Sequence, residues 1–404
     1  MHKCLICNNV KFNQILDLQK QPLANSLRKE KKIKQIKYPL NLVQCKKCTT
    51  VQLDHVVNPK KLFENYVWTT NSSVSVNIYA KYFFNKFNKQ LKAKSKILEI
   101  ASNDGTFLKY FDKKGHTVIG VDPAKNIAKI ANKQKIKTLP EFFNYSTSTK
   151  IKKDNGKFDF VFARNVLPHV KEINSIIKGI DNILEDSGSC AIEFHYAGKI
   201  LKELHYDSIY HEHLHYFTIK TISTAFAKFN LYPYDIFKSP ISGGSLVISF
   251  SKKHIKKTLN FKKLIKEENI KKYNSFKKWK DFGIKSENHK NNLIKVIEEC
   301  QNEKYEIIGY GASARSSTVI NYAGFNHRTI KYIIDNNPLK IKKFSPGSDI
   351  QIKKISKKIK LINKLCIVLF AWNFKDEIIK SLKSFKIKAK IIIPFPKKIT
   401  INEI

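Results

Sequence analysis

Residues 95–131 read SKILEIASNDGTFLKYFDKKGHTVIGVDPAKNIAKIA, and their reading decides the fold. The run KILEI is short and apolar, the composition of a strand buried on both faces, and a strand is expected over 96–101. Small and polar residues follow in SNDG, where the chain must turn. Apolar positions then recur at helical spacing through residue 112, and HTVIGVD supplies a second buried strand ending at Asp122. Strand, turn, helix, strand is the unit of a doubly wound parallel sheet. KFDFVFARN near 158–164 and GSCAIEF near 188–194 extend the sheet by two more strands. Ligands of such sheets sit at the carboxyl ends of the strands.

The turn EIASNDG carries the first chemistry. Small residues at alternate positions let the backbone approach a ligand, and an acid at the tip of the second strand can take the two hydroxyls of a ribose. Glu99, Ala101, Asn103 and Gly105 fill the first set and Asp122 the second. The arrangement resembles the cofactor turn of class I methyltransferases, and it favours S-adenosylmethionine (SAM) over a dinucleotide because G-x-G-x-x-G is missing here. A second unit of the same kind begins at YEIIGYGASARSSTVINYA and continues in IKYIIDNNP, KLCIVLFAWN and AKIIIPFP. Its Gly309, Gly311 and Ala314 form the relaxed pattern G-x-G-x-x-A, with Asp335 at a strand end about 20 residues on. NAD is a legitimate ligand there; the alternatives are a turn kept for packing or used for a substrate phosphate. A Lys-rich helical stretch, 253–303, joins the two units.

At 404 residues the chain is too long for one ordinary core, and two or three domains are expected. No apolar run approaches the ~18 residues of a spanning helix. MHKCLICNNV lacks a secretory pattern, so a cytoplasmic protein without membrane contact is expected. The formal charge of +42 would suit nucleic acid, but arginine is scarce and lysine is spread along the entire chain, so compositional bias is the better reading. Cys4 and Cys7 in CLIC pair with Cys45 and Cys48 in CKKC. Two C-x-x-C knuckles close a tetrahedral thiolate site, and four protein ligands leave no open position, so a zinc ion here is structural.

IYHEHLHYF, residues 209–217, places three histidines within five positions. In an extended segment His211, His213 and His215 would share one face, with Tyr210, Glu212 and Leu214 on the other. Three readings stand open: a metal site, a base flanked by a phenol and a carboxylate, or packing.

Several segments together resemble one family, the SAM-dependent sugar C-methyltransferases that act on nucleotide-linked keto-sugars. These are QPLANSL, YPLNLVQCKKCTTVQL, LFENYVWTTNSS, EIASNDGTFL, GVDPAKNIA, NVLPHV, DSIYHEHLHYF and GYGASARSSTVINYAGF, and the resemblance runs over nearly the whole chain. It implies an α/β protein of three parts. These are a small zinc-binding domain over 1–75, a class I methyltransferase Rossmann-like domain over 76–250, and a second Rossmann-like domain over 251–404, which in the family is not an NAD enzyme. By the same resemblance Glu99, Ala101, Asn103, Gly105, Asp122 and Asn165 hold SAM. His213 is the base, Tyr210 and Glu212 hold the sugar and orient the imidazole, and Tyr66, or alternatively Trp68, reaches the same site. A hydrogen next to a ketone is acidic because its carbanion spreads onto oxygen; a neutral imidazole can take it, and the carbanion then attacks the methyl group. The implied substrate is an NDP-linked 4-keto-deoxysugar, with dTDP the expected nucleotide and the Lys-rich C-terminal half the expected holder of its diphosphate.

The chain departs from the family at four positions. Ala101 replaces a glycine, so the turn is expected to avoid positive φ there. Ser242 and Val247 replace a histidine and an arginine, and Trp68 a tyrosine, at positions expected to touch the sugar. An RNA-modifying methyltransferase and an NAD-linked sugar oxidoreductase are the rival functions.

Overall fold

Apolar residues alternate with polar ones in FNQILDLQKQP, and in the computed structural model of the protein this segment is strand β1 (Phe12–Pro22). The structure describes residues 2–31, 33–58, 70, 74–240 and 243–404, so Tyr66, Trp68 and Ser242 lie outside the described residues. β1 pairs antiparallel with β2 (Lys37–Cys45), and β2 with β3 (Val51–Leu53), which leaves the second cysteine knuckle between β2 and β3.

The central sheet is built as the sequence implies. β4 (Lys96–Ile100), β5 (Thr117–Val121), β6 (Thr138–Leu139), β7 (Phe158–Arg164) and β8 (Leu184–His195) are parallel. Their sheet is completed by β10 (Tyr232–Ser239) and β11 (Ser245–Ser251), in the order β10-β11-β8-β7-β4-β5-β6 with β11 antiparallel to β8. That order, with its inserted antiparallel strand, is the class I methyltransferase sheet the resemblance implies. Helix α1 (Val74–Asn88) covers one face. Its Tyr79, Phe83 and Phe87 meet Phe107, Phe111, Phe160 and Phe162 in a cluster of tilted and edge-on rings, the geometry that aromatic quadrupoles favour. Short helices α2 (Leu108–Asp112), α3 (Lys125–Lys133), α4 (Tyr145–Asn155) and α5 (Ile173–Ile183) make the crossovers.

The histidine segment is not extended. After α6 (Ala197–Glu203) the chain bends through residues 210–212, and only His215–Tyr216 form a strand, β9. β9 belongs to neither parallel sheet. It pairs with β3, Val51 opposite Tyr216 and Gln52 opposite His215, and so becomes the fourth strand of the N-terminal sheet, β1-β2-β3-β9. Helix α7 (Ile219–Ala227) then returns the chain to the central sheet.

The Lys-rich stretch is two helices, α8 (Leu259–Ile270) and α9 (Phe276–Asn302), with Lys272 in the left-handed region at the break. α8 packs Phe261 into the core of the central sheet. Its fully buried Glu268 accepts from the Tyr196 hydroxyl and from the N–H groups of Ile219 and Lys220, which satisfies the start of α7. α9 carries Trp279, Phe282, Leu293 and Ile297 against β1 and the C-terminal sheet. That sheet has the order β14-β13-β12-β15-β16-β17. β12 (Glu306–Tyr310), β13 (Tyr332–Ile334), β14 (Gln351–Lys353), β15 (Leu365–Leu369) and β16 (Lys390–Ile393) are parallel, and β17 (Thr400–Glu403) is antiparallel at the edge. Its helices include α10 (Ala314–Tyr322) and α11 (Lys375–Ser384).

α9 runs so close to β1 that a Cβ on Gly283 would fall inside the van der Waals shell of the Ile15 carbonyl oxygen. Alanine in a helix interior gains about 1 kcal/mol over glycine on propensity alone. Forcing two backbones apart costs about 1–3 kcal/mol, and that term should win. Gly283→Ala is expected to lower the urea midpoint followed by tryptophan fluorescence; a raised midpoint would show that α9 and β1 can separate freely.

Candidate active site

A cavity of about 1070 Å³ lies where the carboxyl ends of the two parallel sheets face each other. This is at the upper end of the roughly 300–1,000 Å³ of ligand pockets. The central sheet contributes Ala101 and Asn103 after β4, Asp122 after β5, Arg164 and Asn165 at β7, and His195 at the end of β8. From the C-terminal sheet come Ser313, Ala314 and Arg315 at the start of α10, with Ala371, Asn373 and Phe374 after β15. Asn25 and Asn58 reach in from the N-terminal region.

Of the three clustered histidines His213 and His215 line the cavity and His211 does not, and His213 is the one paired with a cavity-lining phenol. His211 Nε2 lies 3.2 Å from the carbonyls of Tyr38 and Pro39, and His215 Nε2 lies 3.0 Å from that of Val170. Both imidazoles therefore donate to backbone and pin the segment. A shared metal would need three converging nitrogens, and among the described residues only the four cysteines form such a group. His213 Nδ1 lies 2.8 Å from the Ser208 carbonyl, which can only accept, so Nδ1 carries the hydrogen and Nε2 the lone pair. Nε2 accepts from the Tyr210 hydroxyl at 2.9 Å, with the two ring centroids 4.0 Å apart. Burial holds the His213 pKa well below the usual imidazole value, and the neighbouring His169 and Arg315 push the same way. The imidazole is neutral at pH 7.

Glu212 does not orient this imidazole; Ser208 and Tyr210 do. The Glu212 carboxylate lines the cavity and accepts from Asn25 Nδ2 at 2.7 and 3.0 Å. Burial raises its pKa to about 7 against the opposing pull of that amide. Its backbone carbonyl accepts from His169 Nδ1 at 2.7 Å, and the His169 ring lies 4.9 Å from that of His213. Burial lowers the His169 pKa to about 4. His169 sits in NVLPHV and Asn25 in QPLANSL, so both were within quoted motifs, yet nothing in spacing distinguishes them from packing residues.

The turn after β4 fits SAM. Asp122 Oδ2 accepts from the Asn103 N–H and Oδ1 from the Ala124 N–H, at 2.8 and 2.9 Å, so the carboxylate is fixed at the cavity edge where a ribose would lie. Burial raises its pKa while both N–H groups oppose. Contrary to expectation Ala101 adopts a positive φ of 52°, and Asn103 one of 51°. The left-handed turn survives without glycine at a cost of roughly 1–2 kcal/mol per residue, held by the Asp122 bonds on one side. Asn165, at φ 54°, donates its N–H to the Glu193 carbonyl and lines the cavity. Glu99 and Gly105 are below the surface. Fully buried Glu99 accepts from Arg164 Nε and Nη2 at 3.1 and 3.0 Å, and burial outweighs that cation to push its pKa up to about 8. Arg164 in turn lies 3.2 Å over the Phe107 ring. Gly105 packs against Ile136.

Two substrate expectations fail on the geometry. Val247 is fully buried among Phe87, Phe160 and Phe237 of the aromatic core and does not reach the cavity. The C-terminal cation at the cavity is Arg315, not one of the abundant lysines. It lies 3.5 Å from Asp207, whose other contact is a 2.8 Å bond from Trp372 Nε1. The G-x-G-x-x-A turn is explained by packing: a Cβ on Gly311, at φ 98°, would strike Ala371, and one on Gly309 would meet Phe370. Asp335 closes that turn by accepting from the N–H groups of Ala312 and Asn337 and from Lys340.

The four cysteine sulfurs lie within 4.8 Å of one another, with Cys4–Cys48 and Cys7–Cys45 at 3.5 Å. Zinc–sulfur bonds of about 2.3 Å put tetrahedral sulfurs about 3.8 Å apart, so the set fits one zinc ion. Asn9 Nδ2 lies 3.4 Å from Cys45 Sγ, and the Thr50 hydroxyl 3.4 Å from Cys48 Sγ.

Comparison with known proteins agrees with this geometry. Three family models match in succession: a zinc binding domain over residues 4–63, a methyltransferase domain over 79–235, and a C-methyltransferase C-terminal domain over 240–396. The C-methyltransferase NovU of Streptomyces niveus is 25% identical over 401 residues, covering 98% of this chain and 95% of the relative. Among solved structures, the PH0226 protein of Pyrococcus horikoshii OT3 aligns over 49% of this chain and all of its own, at 16% identity and a TM-score of 0.39. Magnesium protoporphyrin IX methyltransferase of Synechocystis PCC 6803, solved with bound SAM, aligns over 44% of this chain and 79% of its own, at 11% and 0.34. At such scores neither structure carries the argument.

Metal analysis of the purified protein is expected to find about one zinc ion per chain, and Cys45→Ser to lose it. Folded, zinc-free protein with four reactive thiols would overturn the assignment.

Proposed function

Because the chain belongs to the SAM-dependent C-methyltransferases, with a small molecule as its substrate and zinc at its four cysteines, we propose that it methylates a carbon beside the ketone of an NDP-linked 4-keto-deoxysugar, dTDP being the expected nucleotide. The observation that carries this is the His213–Tyr210 pair: a neutral, buried imidazole with its lone pair aimed at a phenol inside the cavity that the Asp122 turn also lines. Such a site suits removal of a carbon-bound proton, since water would otherwise solvate and level the base.

SAM, when bound, supplies an electrophilic methyl group. The placement of the chain's own residues supports the following roles. Asp122 takes the ribose hydroxyls, the left-handed turn at Ala101 and Asn103 keeps side chains clear of the methionyl part, and Asn165 closes that end. The proton beside the ketone passes to His213 Nε2, either directly as the Tyr210 hydroxyl turns aside or through that hydroxyl, which gives its own proton to Nε2 as it accepts the new one. The electron pair left on carbon spreads onto the ketone oxygen. Glu212, steadied by Asn25, accepts from a sugar hydroxyl. Arg315, in the first turn of α10, meets the diphosphate on this reading. The reading sets the enzyme in the cytoplasm, where thiolate ligands stay reduced.

The test is mass spectrometry of dTDP- and GDP-linked 4-keto-deoxysugars in heavy water. Deuterium entering beside the ketone without SAM, and one methyl gained with it, are expected; neither signal on any keto-sugar would sink the substrate class. His213→Ala should keep SAM affinity while both signals fall roughly 10²–10⁴-fold. A near-normal exchange rate would remove His213 from the role. Asp122→Ala should weaken SAM binding by roughly tenfold or more with the exchange retained, measured by calorimetry.

The pH dependence has a definite sign. A lowered imidazole pKa leaves the basic form populated down to that pKa, so the acid limb of kcat/KM is expected well below the ordinary histidine value of 6.5. A limb at 6.5 that vanishes in His213→Ala would contradict the buried, neutral base.

A further inference from the structure

One buried side chain joins the zinc site to the segment that carries the base. Gln52 is fully buried in β3, the short strand that begins three residues after Cys48. Its Oε1 accepts from the N–H of Leu5, inside the first cysteine knuckle, at 3.0 Å. Its Nε2 lies 2.8 Å from His2 Nε2 and donates to the Leu53 carbonyl at 3.3 Å. The backbone of the same residue pairs with His215 across β3 and β9. One residue further on, the Leu53 N–H donates to the Leu214 carbonyl at 3.0 Å, and the Leu214 N–H donates to the Pro168 carbonyl at 2.7 Å. Leu214 is the neighbour of His213.

Among the described residues, the Gln52 side chain is the side-chain link between the first knuckle's backbone and the two β3 residues, Val51 and Gln52, that pair with β9. The remaining contacts of the first knuckle lead elsewhere: Asn174 Nδ2 donates to the carbonyls of Leu5 and Ile6, and Lys228 donates to that of Ile6. In the Cys45–Cys48 knuckle the Cys45 N–H donates to the Thr50 carbonyl, the Thr49 N–H to that of Cys45, and the Lys46 N–H to that of Lys11, which leads to β1.

We propose that Gln52 is a positioning residue: with the metal bound, the first knuckle presents the Leu5 N–H to Gln52, and Gln52 holds β3 in the register that places β9, and with it His213, against the cavity. The zinc domain thereby sets the geometry of the base in addition to lining the cavity with Asn25 and Asn58. A segment that carries a two-residue strand has little local stability, and a 1 Å displacement of a reacting group is costly, so this coupling should be visible both as local opening and as rate.

The experiment compares the full-length wild type, Gln52→Leu and Gln52→Glu. Gln52→Glu keeps an acceptor for the Leu5 N–H; Gln52→Leu removes it while remaining buried and apolar. Readouts are zinc per chain, SAM affinity, hydrogen-exchange mass spectrometry over 209–217, and methyl transfer. Gln52→Leu is expected to keep zinc and SAM affinity, to exchange about tenfold faster or more at 214–216, and to lose roughly 10- to 100-fold in kcat with KM little changed. Gln52→Glu should return both values to within about threefold of wild type. Stripping zinc from the wild type by chelator should open 214–216 to the same extent, and this arm needs no variant should Gln52→Leu fail to fold. Unaltered protection at 214–216 in the zinc-stripped protein, or in zinc-loaded Gln52→Leu, would overturn the proposal. Only the rate arm rests on the assignment of His213 as base: protection lost together with an unchanged rate leaves the coupling standing and sinks the base instead.

Discussion

Two parallel sheets can share a ligand site only by facing their carboxyl ends toward each other, because that is where the strands open into loops and the helix N-termini point outward. This opposition places much of the cavity's lining. Ala101, Asp122, Asn165 and His195 come from loops or strand ends of the central sheet, while Arg315 and Asn373 come from the C-terminal sheet. The amino ends of both sheets carry none of the cavity's lining. The second sheet thus has a use that its glycine pattern does not reveal. Its first turn packs against Ala371, and the helix start and the arginine that follow line the cavity.

Closing the site between domains removes water, and the electrostatics follow from that. Glu99 and Glu212 are pushed up, to about 8 and about 7, and His169 and His215 down, to about 4, in each case first by burial. The consequences for stability are opposite in sign. A carboxyl whose pKa is raised binds its proton more tightly when folded, so its ionisation weakens folding as pH rises from about 4.5 through the folded value. An imidazole whose pKa is lowered is neutral when folded, so its contribution is lost as pH falls from 6.5 toward the folded value. The site is therefore opposed from both sides, and the same dryness that keeps His213 neutral is what makes neighbouring carboxylates costly.

Where local pattern and tertiary role coincide, the sequence was legible. The run KILEI is buried in any doubly wound sheet, and Asp122 can do little else at a strand tip than gather N–H groups. Both cysteine knuckles were readable because metal ligation needs only four sulfurs at short spacing. His213 stood out only through resemblance, since alternation wrongly put three histidines on one face; the bend at 210–212 sends them to carbonyls of different segments. Ala101 was misread because positive φ was judged by side chain alone, without the Asp122 bonds that hold the turn. Val247 was misassigned for a related reason: a position along a strand does not say which face meets the cavity. Arg164, His169, Asn25 and Arg315 were invisible because each acts across domains or through a buried partner, and no local period records that.

The pairing of β3 with β9 resolves a conflict inherent in such a site. A base must sit on a segment free enough to enter a cavity between domains, yet hold its place to a fraction of an ångström. Two residues of strand cannot supply that rigidity alone, and neither could a loop returning from α6 to α7. Borrowing an edge from a sheet already stapled by metal does supply it, with backbone bonds rather than side chains, and leaves the cavity face of the segment unencumbered. The edge of the N-terminal sheet is at the same time covered, which removes the exposed strand that a small β domain would otherwise present. Under the proposed coupling the zinc domain and His213 are parts of one mechanical unit, although some 160 residues of chain, including the strands that form the SAM turn, lie between Gln52 and His213.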